Sequence, residues 1–307
     1  MSNFFGFLFG HRRKLKSSRA TVRAMRFREF LQQIHSNKAA LIGTVIVLFF
    51  LLMAAFGQMF VRFDINNFAA DTSTVWLSPS GEHWLGTDAL GRDIFKFIIA
   101  GARVSMLVGL VATLISMFIG TLIGLVSGYF GKWVDMLLMR ITDFFLSLPW
   151  LPLCMVLAAL LGSSVINIIL VIGFTSWAGT ARIVRAQTLS VKEQQYVERT
   201  VSIGSRRGHI MFRHILPNVF PIVFSETVLV AGSAIGTETT LSFLGLGDAS
   251  QPSWGIILYY ANATGAVSRG AWWYFIPAGL CVVLVILGLS LMGYAFDEIL
   301  NPRLKER

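Results

Sequence analysis

The sequence predicts an all-α membrane protein that crosses the bilayer about six times with both termini cytoplasmic, and three observations predict it. Of its 307 residues, 55% are hydrophobic and 14% charged, and the mean hydropathy is +0.67, well outside the balance of a soluble domain. The apolar residues are gathered into runs long enough to span a bilayer. Lys and Arg fall mostly to one side of those runs, so the net charge of +10 reads as a sidedness bias and not as a nucleic-acid surface. Cys154 and Cys281 lie inside apolar runs with no pairing or ligand spacing, and read as small core hydrophobes.

Residues 1–38 form a basic cytoplasmic tail in which the aromatic patch Phe4 to Phe9 precedes Arg12, Arg13, Lys14 and six further cations. That order is the reverse of a cleavable signal peptide, and it suits an interfacial anchor or a loose tail. Residues 39–61 carry no charge and would span roughly 33 Å as a helix, which makes them the first transmembrane segment. Residues 62–100 are an extracytoplasmic segment rich in turn-formers. It holds His83 near Asp88 and Asp93, but no second His or Cys stands at metal-ligand spacing, so no metal site is read there. The main membrane portion runs over residues 101–300.

Residues 104–130 are the second span, in which Gly120, Gly124 and Gly128 line one face and admit a neighbouring backbone. Residues 133–161 are the third. Its Asp135, Arg140 and Asp143 would each cost about 2.5–3.5 kcal/mol at the bilayer centre, so they belong near the cytoplasmic end or against protein. Arg140 and Asp143, three apart, can pair on one face. The fourth span runs from 165 to about 184. The fifth runs from Pro217 to about Thr240, with Gly232 and Gly236 four apart. Glu238 is expected near its outer surface, whereas Glu226 falls deeper and needs a cavity, a partner or a paired group. An outer loop over 241–271 leads through Trp272, Trp273 and Tyr274, an interfacial aromatic belt, into a last span ending near Phe296. Residues 301–307 close the chain on the basic side. On the outer side only Arg62, Arg92, Lys96 and Arg269 remain, with Arg103 at a helix entry, and an odd number of spans would spoil that asymmetry.

Between the fourth and fifth spans lies a water-facing loop over 186–217, whose sequence from 191 on reads VKEQQYVERTVSIGSRRGHIMFRHILP. Ser190 and Glu193 have capping-box spacing and predict a helix start, on which Val197 and Val201 form a narrow apolar stripe. Gly204 closes that helix, and Ser205 is placed to cap a second one running through Ile210, Met211 and Phe212 towards Pro217.

The order Glu198, Arg199, Thr200, Gly204 and finally Leu216 and Pro217 resembles the EAA loop of ABC-importer permeases, with Arg199 and Thr200 replacing two alanines and His214 an isoleucine. HWLGTDALGRD at 83–93 is similar to the HxLGTDxLGRD signature of the dipeptide, oligopeptide and nickel permeases. SFLGLG at 242–247, PSWG at 252–255 and DMLLMRITDFFLSLPWLPL at 135–153 look like the same family's strings. The resemblance implies a type I importer permease of the "C" type in a prokaryotic inner membrane. Its partners would be a second homologous permease subunit, two ABC ATPase subunits, an extracytoplasmic solute-binding protein and membrane lipid. Tyr196, Val197, Glu198, Arg199, Thr200, Gly204, Ser205, Leu216 and Pro217 would form the ATPase-coupling surface. ATP and Mg would bind on the partner chains, because this chain has no G-x-x-x-x-G-K-[ST] loop, and it has no H-E-x-x-H or G-x-S-x-G string that would make it an enzyme. Peptides are the expected solute, with nickel complexes or oligosaccharides as alternatives. A self-sufficient secondary transporter is the competing class, and it would need mid-membrane ion sites or inverted repeats.

Overall fold

A computed structural model describes residues 32–61 and 74–300, so the expectations for the N-terminal tail, the start of the first outer segment and residues 301–307 lie outside the described residues. The described chain is helical: α1 (Lys38–Phe60), α2 (Ile94–Phe130), α3 (Lys132–Ser147), α4 (Trp150–Leu161), α5 (Val165–Thr175), α6 (Trp177–Lys192), α7 (Gln195–Ser202), α8 (Arg207–Ile210), a π-helical turn (Met211–Ile215), α9 (Leu216–Phe243), α10 (Trp254–Ala263) and α11 (Trp272–Leu300). Five helices or continuous helical stretches are long and apolar enough to span, six if the bent pair α3–α4 counts as one span. For orientation, the end carrying α7 is here called the basic end, and the opposite one the cap end.

The 37-residue α2 is the central post. Asp93 starts it by accepting from the Lys96 N–H, so the helix opens at Ile94, well inside the segment expected to stay outside the membrane until residue 100. Gly120, Gly124 and Gly128 all face α6 of this same chain. A Cβ on Gly124 would lie 2.5 Å from the Ala181 carbonyl oxygen, and one on Gly128 would lie 2.7 Å from Thr188 Cβ. Gly232 and Gly236 are looser: the nearest atoms a Cβ would meet belong to α11 and stand at 3.6 Å and 3.3 Å. The tighter crossing of α11 is with α1, through Gly43 and Gly288, where a Cβ on Gly43 would be 2.6 Å from the Gly288 carbonyl oxygen. α1 buries only the stripe Ala40, Gly43, Val47 and Phe50, at the three- and four-residue spacing of one helix face.

The third span is not straight. α3 and α4 meet at 86° across Leu148 and Pro149. Pro149 has no N–H to give the preceding turn and biases Leu148 to extended backbone, and the two residues lie at φ −78, ψ 139 and φ −64, ψ 106. The fourth span is also longer than expected and interrupted: α5 stops at Thr175, Ser176 interrupts it, and α6 continues to Lys192.

At the cap end, the 74–93 loop and α10 lie over the ends of α2, α9 and α11, and the fully buried Trp254, Tyr274 and Phe97 form the centre of that core. At the basic end a second core gathers Leu125, Val184, Val191, Val197, Ile210, Met211, Ile215 and Val219.

Candidate functional site

The loop that the sequence singles out folds onto the basic-end core through one side chain. Val197 is buried among Val191, Ile210 and Ile215, while Val201, one turn on, is 54% exposed, so the expected two-residue apolar stripe divides between an anchor and a free face. The helix also starts later than its capping-box spacing predicts. Val191 keeps α6 going by packing into the core, the chain turns at Glu193 and Gln194, and α7 opens at Gln195 with no side-chain cap. Ser190 and Glu193 therefore belong to the end of α6 and the turn that follows it.

Within α7, the Thr200 hydroxyl donates to the Tyr196 carbonyl at 2.7 Å and the Ser202 hydroxyl to the Glu198 carbonyl at 3.0 Å, so both hydroxyls are satisfied inside an eight-residue helix that would be marginal alone. Glu198, Arg199, Gly204 and the 80% exposed Ile203 face outward. Tyr196 is exposed too, and its partial burial pushes the phenol above its ordinary range. Gly204 ends the helix at φ +76, the left-handed conformation glycine adopts freely. Ser205 does not cap the next helix: α8 starts at Arg207 after an extended Arg206, without a side-chain cap. From there α8, the π-turn and α9 run as one helical stretch, Arg207–Phe243, with Pro217 in the first turn of α9. Leu216 and Pro217 thus stand at the join between loop and span.

The charges of the third span pair across helices and not along their own. Arg185 of α6 forks onto both carboxyl oxygens of Asp135, which also accepts from the Ser127 hydroxyl of α2. Asp143 takes Arg182 Nη2 at 2.6 Å. Arg140 has no such partner among the described residues, so the expected Arg140–Asp143 pair does not form. The reason is geometric: α3 bends away from its own continuation and lies against α6, whose arginines three apart then meet carboxylates eight apart.

Glu238 does not emerge at a surface. It is 1% exposed, with Ser105 of α2 donating to Oε2 at 3.1 Å and Ser242, one turn on, donating to Oε1 at 2.9 Å. Ser105 in turn accepts the Trp254 N–H at 3.2 Å, so the carboxyl ties α2, α9 and α10 together. Glu226 is half-buried on α9 near the carboxyl of Asp297 on α11, with no hydrogen bond or ion pair among the described residues.

The cap-end motif makes a clamp. Arg92 Nε donates to Asp88 Oδ2 at 2.6 Å with both side chains almost fully buried. Asp88 Oδ1 accepts from the N–H groups of Leu90 and Arg92, and the Tyr274 hydroxyl reaches Asp88 Oδ2 at 3.3 Å. The guanidinium lies 4.8 Å from the ring centres of both Phe97 and Tyr260. His83 Nδ1 is 2.8 Å from Asp93 Oδ2, beside the start of α2. Sequence reading found the motif but not this cluster, because Tyr260 and Tyr274 stand more than 150 residues away along the chain.

Residues 120–306 match the family model described as binding-protein-dependent transport system inner membrane component, and residues 26–79 match that of the N-terminal TM domain of oligopeptide transport permease C. The dipeptide transport system permease protein DppC of Alkalihalophilus pseudofirmus is 35% identical over 280 residues, 91% of this chain and 90% of its own. The oligopeptide transport system permease protein OppC of Bacillus subtilis is 34% identical over 281 residues, with the same two coverages. The probable D,D-dipeptide transport system permease protein DdpC of Escherichia coli is 39% identical over 263 residues, 85% of this chain and 86% of its own.

Proposed function

The chain belongs to the binding-protein-dependent transport system inner membrane component family, and from that premise we propose that it forms half of the translocation pore of an ATP-driven peptide importer. It is a multi-pass inner-membrane protein, and ATPase and binding-protein partners come with the family in general. The finer composition proposed is one homologous permease, two ATPases holding ATP and Mg, and one extracytoplasmic solute-binding protein. The basic end faces the cytoplasm, in keeping with the concentration of Lys and Arg there. Dipeptides and oligopeptides are the proposed solutes, after the names of the relatives.

One observation carries the coupling role. α7 is anchored by the buried Val197 and turns over residues 203–206 at Gly204 into α8, from which the π-turn and the span α9 follow without a loop. That continuous helical stretch of 37 residues, about 55 Å long, would carry a displacement of α7, passed on through the Gly204 turn, into a tilt or shift of α9 deep in the membrane. The exposed face bearing Tyr196, Glu198, Arg199 and Ile203 is the surface that an ATPase cleft would grip, and ATP-driven closure would pull it. Hydrolysis then returns α7 and the pore to the resting state.

Gentle detergent purification of the tagged chain from its native membrane, with an ATPase assay, tests this. Recovery with a second permease and ATPases in fixed stoichiometry is expected. At φ +76 a β-branched residue costs about 1–2 kcal/mol, so Gly204→Val is expected to displace the turn and weaken ATPase retention roughly tenfold, with Glu198→Ala acting in the same direction. Recovery of the chain alone, transporting without ATP, would overturn the reading.

A further inference from the structure

A helix break and a helix join lie side by side in the membrane. α3 breaks from α4 at Leu148 and Pro149, whereas α5 passes into α6 at Ser176, whose N–H still reaches the Ile172 carbonyl at 3.1 Å. Between them and the middle of α9, around Val230 to Ala234, is a cavity of about 290 Å³, room for roughly ten waters. Since α9 runs from Leu216 to Phe243, that level is the midplane of its span.

Broken backbone at this depth must be covered by protein or must line water, because hydrocarbon offers nothing to the freed carbonyls and N–H groups. The α3 break is not covered by this chain: Leu146, Ser147, Pro149 and Trp150 are all exposed. The Ser147 hydroxyl returns to the Phe144 carbonyl at 2.8 Å, but the remaining carbonyls of the last turn have lost their helical donors at Pro149. On the opposite wall the exposed Ser233 makes no side-chain hydrogen bond among the described residues, whereas Ser176 Oγ, also unpartnered, is buried beneath the lining. No charged side chain lines the space.

We propose that this cavity is a water-filled solute site in the translocation path, taking peptide main-chain amides through hydroxyl and carbonyl groups and not through charges. The proposal rests on the peptide-importer reading above and adds to it the residues that meet the solute. Amides are the matching class because each presents one donor and one acceptor, which free carbonyls and serine hydroxyls satisfy whatever the side chains. The aromatic face of Trp150 at the rim accommodates apolar side chains without selecting one. Such a site passes many sequences and leaves selection to a binding protein.

Gly179 gives a clean test, because it lines the cavity, is exposed, and a Cβ there meets nothing within 4 Å. The assembled transporter would be reconstituted in liposomes with its binding protein, and uptake of a labelled dipeptide and tripeptide measured. Gly179→Ala is expected to transport normally, and Gly179→Trp to lose at least tenfold in uptake while keeping ATP hydrolysis and subunit stoichiometry. Gly179→Cys is expected to react with a membrane-impermeant, water-soluble thiol reagent, and peptide under turnover is expected to slow that reaction. The wild-type chain, with Cys154 buried and Cys281 half-buried, serves as the blank. Full uptake by Gly179→Trp would overturn the proposal. So would labelling only by a lipid-soluble maleimide, which would mean a lipid-facing surface, or by no reagent, which would mean a partner helix fills the space. A wild-type complex that hydrolyses ATP but takes up no peptide would instead sink the choice of solute, and the labelling would still decide whether the cavity is aqueous.

Discussion

Arg92→Ala is expected to destabilise the protein by about 3–5 kcal/mol, enough to remove most of the detergent-stable fraction. The substitution removes the guanidinium from Asp88 Oδ2 and leaves a carboxylate with 0% exposure facing, among the described residues, two backbone N–H groups and the Tyr274 hydroxyl. It also empties the slot between the Phe97 and Tyr260 rings, so cavity and charge effects add. Arg92→Lys is expected to recover little, because a point-like ammonium reproduces neither the Nε geometry nor the stacking. Thermal unfolding followed by tryptophan fluorescence reads the change, since Trp254 and Trp273 both hydrogen-bond to backbone carbonyls within this cap. A double-mutant cycle with Asp88→Asn sharpens the test. Once the partner charge is gone, the further loss on removing Arg92 should shrink by well over 1 kcal/mol; strictly additive effects would show that the pair is not coupled.

The second large effect sets one substitution at two glycines. Gly124→Ala is expected to cost about 1–3 kcal/mol and Gly124→Leu to prevent the folded state from accumulating, because a Cβ there meets the Ala181 carbonyl oxygen at 2.5 Å and the Arg185 nitrogen at 2.9 Å. Those are backbone atoms of α6 and cannot swing aside. Separating the helices would in addition pull Arg185 from Asp135 and expose the pair. Gly232→Ala is expected to be neutral, or stabilising by up to about 1 kcal/mol through helix propensity, because its nearest neighbour stands at an ordinary 3.6 Å. Size-exclusion profiles and melting of the two alanine variants, side by side, decide it. Equal losses would mean that both stripes pack against backbone, and no loss at Gly124 would mean that α6 does not approach as closely as described.

That contrast also marks the limit of what spacing along the chain conveys. The triplet at 120, 124 and 128 and the pair at 232 and 236 look alike as text, because a four-residue repeat reports only that small residues share a helix face. How near the neighbour comes depends on which helix is folded against that face. The charges behave the same way. Arg140 and Asp143 are local neighbours, yet Asp143 pairs with Arg182, because Pro149 bends the third span and lays α3 against α6. Glu238 has the composition of a surface residue and becomes a buried knot, since its donors include Ser105, 133 residues away.

Local and periodic properties were therefore legible without coordinates: the all-helical membrane class, about six crossings, the family motifs, and the glycine that ends α7 at positive φ. Each follows from the run length, charge content or conformational freedom of a short stretch, and none needs a distant partner. The partners of Asp88, Asp135, Asp143 and Glu238, the division of Val197 from Val201, and the cavity beside the α3–α4 break depended on tertiary structure. Buried charge and broken backbone in a membrane must be satisfied from other helices, and which helix supplies the partner is set by the packing of the whole bundle.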